Sequence, residues 1–165
     1  MTDALSQIHV ICRGWNEYEE GFGDLNGNIW LGLANIYRLT ATEPLELHVY
    51  LEAFTGSWFY ASFSEFSISD RNDYYRLQLS GSYTGTAPEY SLTYHNGMRF
   101  STFDRENDAH PFGNCAILTS GAWWYNYCHN TNLNGMYLSW EIAMESYGTI
   151  FHIMIKFVQR LERLL

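Results

Sequence analysis

At 165 residues the chain fits one domain, long enough to bury roughly 70% of the surface that its unfolded form exposes. Aromatic side chains make up 18% of it, 13 of them tyrosine, and so much burial capacity excludes a disordered chain. The formal charge of −9 excludes a nucleic-acid binder, which needs a basic stripe. No run of about 18 apolar residues exists, so no helical membrane span is expected. The acidity suits either plain solubility or a hard cation such as calcium held in acidic loops.

The first residues, "MTDALSQIHVIC", lack the basic start and long apolar core of a signal peptide. In "RGWNEYEEGFG", Trp15 and Tyr18 stand at helical spacing and Gly21 and Gly23 follow, which predicts a short helix stopped by glycine. "WLGLANIYRLT" predicts a second short helix. "LELHVYLEAF" alternates strictly, with Leu45, Leu47, Val49, Leu51 and Ala53 on one face and Glu46, His48, Tyr50 and Glu52 on the other, as a half-buried strand does. "SWFYASFSEFSIS" and "YYRLQLSGSY" are two more strands joined by the turn "DRND", and the three together predict an antiparallel meander. Residues 84–136 are rich in Gly, Asn, Asp, Ser and Thr, and irregular chain of that length in a domain points to function or cross-linking. The last segment, "GTIFHIMIKFVQRLERLL", fits an amphipathic helix or a buried strand, and periodicity does not decide between them.

Three features in the irregular half carry chemistry. Asp104, Glu106 and Asp108 alternate in "FDRENDAHPFGNC". Three carboxylates turned to one point repel unless a cation sits among them, and calcium takes oxygens of this kind, backbone carbonyls near Gly113 included. A solvated acidic turn is the plainer alternative, and the spacing is not that of an EF-hand. His110, Cys115, Cys128 and His129 follow no zinc spacing, and adjacent Cys and His seldom form a nucleophile pair. A Cys115–Cys128 disulfide accounts better for both cysteines, closing a loop worth about 3 kcal/mol in the chain-entropy model. Cys12 is then left without an evident partner. Trp123, Trp124, Tyr125 and Tyr127 read first as core, although aromatics beside Asn and His donors also suit sugars. No phosphate loop or complete nucleophile set is present, so an enzyme is not expected.

Three blocks, "RGWNEYEEGFGDLNGNIWLG", "YHNGMRFSTFDRENDAHPFGNCA" and "GAWWYNYCHNTNLNGMY", together resemble the fibrinogen C-terminal domain family, which includes ficolins, tachylectins, tenascins and angiopoietins. The resemblance covers residues 13–138, leaving a non-matching segment 1–12 and a divergent tail 139–165. It implies an α+β fold, with an antiparallel sheet and short helices beside a loop-rich subdomain for calcium and ligand. It implies the Cys115–Cys128 disulfide, calcium on Glu106 and Asp108 with Asp104 beside them, and carbonyls at His110 and Gly113. It implies a cis peptide at Tyr127–Cys128 and a ligand pocket formed by Tyr127, Cys128, His129 and Asn130.

The function so implied is a secreted, calcium-dependent recognition module that binds acetylated glycans in innate defence. A protein-protein module of matrix or receptor-ligand type, and a non-functional fragment, are the alternatives. Oligomers would form only through segments that this chain lacks. The chain departs from the family pattern in four places. The family's N-terminal subdomain is missing, Glu106 stands where Asp is usual, the loop from Asp108 to Cys115 is one residue longer, and the tail loses its motifs. A partial or rearranged member with a pocket open on one side and an exposed sheet edge is therefore expected.

Overall fold

The computed structural model describes residues 13–24, 26–53, 56–135 and 150–158. Helix α1 spans Trp15–Glu20. Glu17 accepts from the Gly14 N–H at 3.1 Å, and Asp104 accepts from the Trp15 N–H at 2.9 Å, so two of the orphan donors of its first turn are satisfied. The helix stops at Gly21, whose φ of +99° suits glycine. A side chain there would also meet the Leu31 carbonyl, 2.7 Å from the Cβ position.

A two-residue ladder follows, with β1 (Phe22–Gly23) antiparallel to β2 (Ile29–Trp30). Helix α2 then runs over Leu33–Thr40. It begins later than its apolar spacing predicts because Trp30 pairs with Phe22, and Gly32 turns the chain at φ +96°.

The main sheet has four antiparallel strands in the order β5-β4-β3-β6. They are β3 (Leu45–Ala53), β4 (Trp58–Ile68), β5 (Leu77–Gly85) and β6 (Ile150–Val158). The predicted meander is β3-β4-β5. In the turn "DRND", Asp70 accepts from the N–H groups of Asn72 and Asp73 and so caps a short 3-10 turn over Arg71–Asp73. Tyr74 and Tyr75, expected to open β5, instead adopt left-handed φ of 54° and 52°. The Tyr75 ring stacks on Trp15 at 5.9 Å and its hydroxyl donates to Glu19, which ties it to α1 rather than to the sheet.

The ambiguous tail segment contributes a strand. β6 pairs with β3 from Ala53–Ile150 to Glu46–Val158. β6 therefore covers this side of β3 with backbone hydrogen bonds, and among the described strands the sheet edges are β5 and β6.

Leu47, Val49, Ala61, Phe63, Phe66, Ile68, Leu77 and Leu79 are buried on the inner face of the sheet. A register shift between Phe63 and Glu65 lets both Phe63 and Phe66 point inward. Ile36 of α2 and Leu92 of α3 (Glu89–Thr93) belong to the same core, as do Trp15, Tyr18, Phe100, Trp123, Trp124 and Tyr125. The tryptophan pair is thus core, as its composition suggested.

Candidate ligand and cation site

The irregular half is held by side-chain amides and hydroxyls that take the place of regular ladders. Ser101 and Trp123 form an isolated antiparallel bridge. Asn107 donates to the Phe100 carbonyl at 2.7 Å, and Asn126 donates to the Tyr94 carbonyl at 3.1 Å. Asn114 caps helix α4 (Cys115–Leu118) by accepting from the N–H of Ala116 and Ile117. Asn132 accepts from the Tyr125 hydroxyl at 2.9 Å, and Asn134 donates to the Ala122 carbonyl at 3.1 Å. This is why one short stretch is both aromatic and rich in Asn. Its Trp123, Trp124 and Tyr125 rings fill the core, and its amides hold a backbone that has no ladder to join.

Cys115 and Cys128 are disulfide-bonded, with Cα atoms 5.4 Å apart. The bond joins α4, directly after the acidic loop, to the segment expected to bind ligand. Within that segment the Asn126 N–H donates to the Cys128 carbonyl at 2.9 Å, and the Tyr94 hydroxyl donates to the Tyr127 carbonyl at 2.9 Å. Among the described residues no peptide bond is cis, so Tyr127–Cys128 is trans, contrary to what the family resemblance implied. These two hydrogen bonds close the turn.

The structure brings His110 and Tyr127 together. Their rings stack with centroids 4.8 Å apart and planes 12° from parallel. A loop expected to hold a cation thus abuts a segment expected to hold ligand. Tyr127 is 61% exposed and Phe112 is 95% exposed, so the surface here is aromatic and open. Asn130 is exposed, and His129 is half-buried with its ring 6.2 Å from Tyr125. Burial pulls the His129 pKa down, which favours the neutral ring.

His95 escaped sequence reasoning altogether. It is fully buried. Its Nδ1 lies 2.8 Å from the Trp124 carbonyl, which requires Nδ1 to carry the proton. Its Nε2 then accepts from the N–H groups of Asn130 and Thr131, at 3.4 and 3.2 Å. One neutral imidazole therefore links the tryptophan pair to the backbone of the candidate ligand segment. Burial is the main cause that holds its pKa down, to about 4; the Trp124 carbonyl pulls the other way and His129 adds a small push downward. No local pattern around "YHNGMRF" marks this role, because all the partners are remote in sequence.

The carboxylates of the acidic loop do not converge as the alternating spacing suggested. Among the described residues no three His, Cys, Asp or Glu side chains gather as a ligand set. Asp104 accounts for the difference, since its Oδ1 accepts from the Trp15 N–H and from the Thr102 hydroxyl at 2.6 Å. It anchors α1 to the loop. Asp108 accepts from the His110 N–H through one oxygen and from the Cys115 N–H through the other, each at 3.0 Å. It shapes the loop between them, and an ionised carboxylate has further lone pairs to offer. Glu106 is exposed. Glu106, Asp108 and the carbonyls of His110 and Gly113 offer only oxygen atoms, a donor type that would suit a hard cation such as calcium and would not suit zinc.

A meander backed by an aromatic core, beside a disulfide-braced loop region with an open aromatic surface, defines an α+β recognition domain. The family profile of "Fibrinogen beta and gamma chains, C-terminal globular domain" matches residues 7–156, and the chain belongs to that family. Microfibril-associated glycoprotein 4 of Bos taurus is 48% identical over 131 residues, covering 76% of this chain and 51% of its own length. The chain thus spans about half the length of that curated relative. The fibrinogen-like globe domain of human ANGPTL2 superposes with a TM-score of 0.77 at 36% identity, over 88% of this chain and 73% of its own. A lamprey fibrin D-dimer, complexed with the peptide ligand Gly-His-Arg-Pro-amide, gives 0.69 at 33% identity, over 77% of this chain and 44% of its own.

Proposed function

We propose that the chain is a secreted recognition module that binds acetylated glycans at Tyr127, Cys128, His129 and Asn130, with calcium on the neighbouring acidic loop. The observation that carries this reading is the bracing of that segment. The disulfide, the Tyr94 hydroxyl and the His95 ring hold its backbone from three sides before any ligand arrives. A surface ordered in advance loses less entropy on binding. His129 and Asn130 would supply polar contacts and the exposed Tyr127 ring a face for sugar C–H groups. Calcium, held by Glu106 and Asp108 with the carbonyls of His110 and Gly113, would neutralise the loop, and the His110–Tyr127 stack would carry that order to the ligand segment.

The test is retention of the oxidised chain on immobilised N-acetylglucosamine. Calcium-dependent retention, lost in chelator and restored by calcium, is the expected result. Undiminished retention in chelator removes the calcium part of the reading, and no retention in calcium removes the glycan part.

A second reading, a protein-binding module of matrix or receptor-ligand type, is favoured by the relatives' names. One is microfibril-associated and another is complexed with a short peptide. A blank glycan array together with saturable binding of Gly-His-Arg-Pro-amide would select it.

A further inference from the structure

Charge is unevenly spread over this fold. Strands β3, β4 and β5 contain no Lys or Arg. Between Arg38 and Arg71 the sequence carries Glu43, Glu46, Glu52, Glu65 and Asp70 and no Lys or Arg. Four of the described arginines form ion pairs elsewhere. Arg13 pairs with Glu17, Arg71 with Glu19, and both Arg76 and Arg99 with Asp73.

The outer face of the sheet combines this acidity with aromatic rings. The alternation that sends Leu47, Val49, Ala61 and Phe63 inward leaves Glu46, His48, Tyr50 and Glu52 of β3 beside Ser62, Tyr60 and Trp58 of β4. Register sets Tyr50 opposite Tyr60 and Glu52 opposite Trp58. Trp58 is 55% and Tyr60 41% exposed. His48 stacks on Tyr50 at 6.3 Å, with Nε2 3.5 Å from a Glu46 oxygen. Further along β4, Glu65 is exposed and accepts from the Ser80 hydroxyl at 2.6 Å. On β6 the register position opposite His48 is Lys156.

We propose that this face docks an extended basic segment of a partner protein, its Arg or Lys side chains lying over Trp58 and Tyr60 and answered by Glu46, Glu52 and Glu65. Ring faces attract cations, Trp most strongly and guanidinium more often than ammonium. Trp58 and Tyr60, two residues apart on one strand, lie about 7 Å apart along it. Alternate side chains of an extended peptide have the same spacing, so an Arg-x-Arg pattern fits. The −9 charge of the chain draws such a segment in and repels an anionic partner. None of these residues belongs to the 104–131 region of the proposed glycan site, so the two proposals stand or fall separately.

The experiment is fluorescence anisotropy of a fluorescein-labelled Gly-Arg-Gly-Arg-Gly-Arg-Gly peptide titrated with the full chain, at low and at physiological salt. Saturable binding is expected, with no binding of the Glu counterpart. Trp58→Ala and Tyr60→Leu should each weaken it at least about fivefold, the latter keeping bulk while removing the ring. Glu52→Gln should weaken it and flatten its salt dependence, whereas Glu89→Gln, an exposed acid on α3, should change nothing. Near-UV circular dichroism checks that each variant keeps its fold, and Glu52→Gln carries the test if Trp58→Ala does not. Absence of saturable binding overturns the proposal. So does equal loss in Glu89→Gln, which would mean attraction to any acidic surface. So does a dimer in sedimentation that Trp58→Ala dissociates, because a second copy would then cover the face.

Discussion

His95 has the most to lose on protonation. As a neutral ring it donates through Nδ1 to Trp124 and accepts through Nε2 from Asn130 and Thr131. An imidazolium has no lone pair, so the second set of bonds would become repulsive. The sign follows from linkage. The folded pKa of about 4 lies below the unfolded value of 6.5. The unfolded chain therefore binds more protons between those values, and stability falls as pH falls through that window. At ~1.4 kcal/mol per pH unit the loss is about 3 kcal/mol by pH 4. His129, depressed by burial, adds in the same direction. Urea titrations from pH 7 to pH 4 should show a steep loss in the native chain and a shallow one in His95→Gln. A parallel slope in the variant would place the titration elsewhere. Asp73, held down to about 2 chiefly by its hydrogen bonds to Arg76, loses its contribution only below pH 4 and does not blur this reading. Nothing in "YHNGMRF" betrays any of this, since what defines the residue is burial and three remote backbone groups.

Among the elements, those with a face were legible in the sequence and those that depend on remote pairing were not. Strict alternation revealed β3 because one side of it is buried, and glycine revealed the end of α1 because only glycine takes φ +99° there. The start of α2 was misplaced because Trp30 belongs to a ladder with Phe22. Tyr74 and Tyr75 look like strand residues, yet Trp15 and Glu19 pull Tyr75 out of the sheet. β6 was undecidable because its partner β3 lies about a hundred residues earlier. In the site, the disulfide and the neighbourhood of loop and ligand segment were readable from motif order, whereas the turn of Asp104 toward the Trp15 N–H was not. The disulfide makes its own prediction at this scale. It closes a separation of 13 residues, and its loss in Cys115→Ser/Cys128→Ser should cost about 3 kcal/mol in the chain-entropy account. Denaturant midpoints of the native and double-variant chains measure it. The first backbone to gain hydrogen exchange should be 126–131, because its covalent brace to α4 is then gone and only hydrogen bonds hold it.

At the scale of the whole molecule, the question is whether the meander and the loop-built half are one cooperative unit. They share one aromatic core. Phe100, fully buried in the loop-built half, has ring centroids 5.0 Å from Trp124, 5.4 Å from Tyr18, 5.8 Å from Trp30 and 6.5 Å from Trp15. Its own N–H donates to the Tyr74 carbonyl at 3.0 Å, and the Trp124 indole donates to the Tyr75 carbonyl at 2.6 Å. Rings from α1, from β2 and from the loop half thus meet at one side chain, and the backbone leading into β5 is tied to two of them. Neither half buries its aromatic face without the other. Phe100→Ala should therefore cost about 3–5 kcal/mol, the range for emptying a buried aromatic site. The loss should appear as a single transition lowered alike for sheet and loops. Far-UV circular dichroism follows the sheet and near-UV the tryptophans, so coincident curves mean one unit. If near-UV signal disappears while far-UV signal persists, the meander stands alone, and the candidate ligand surface depends on a half that can melt by itself.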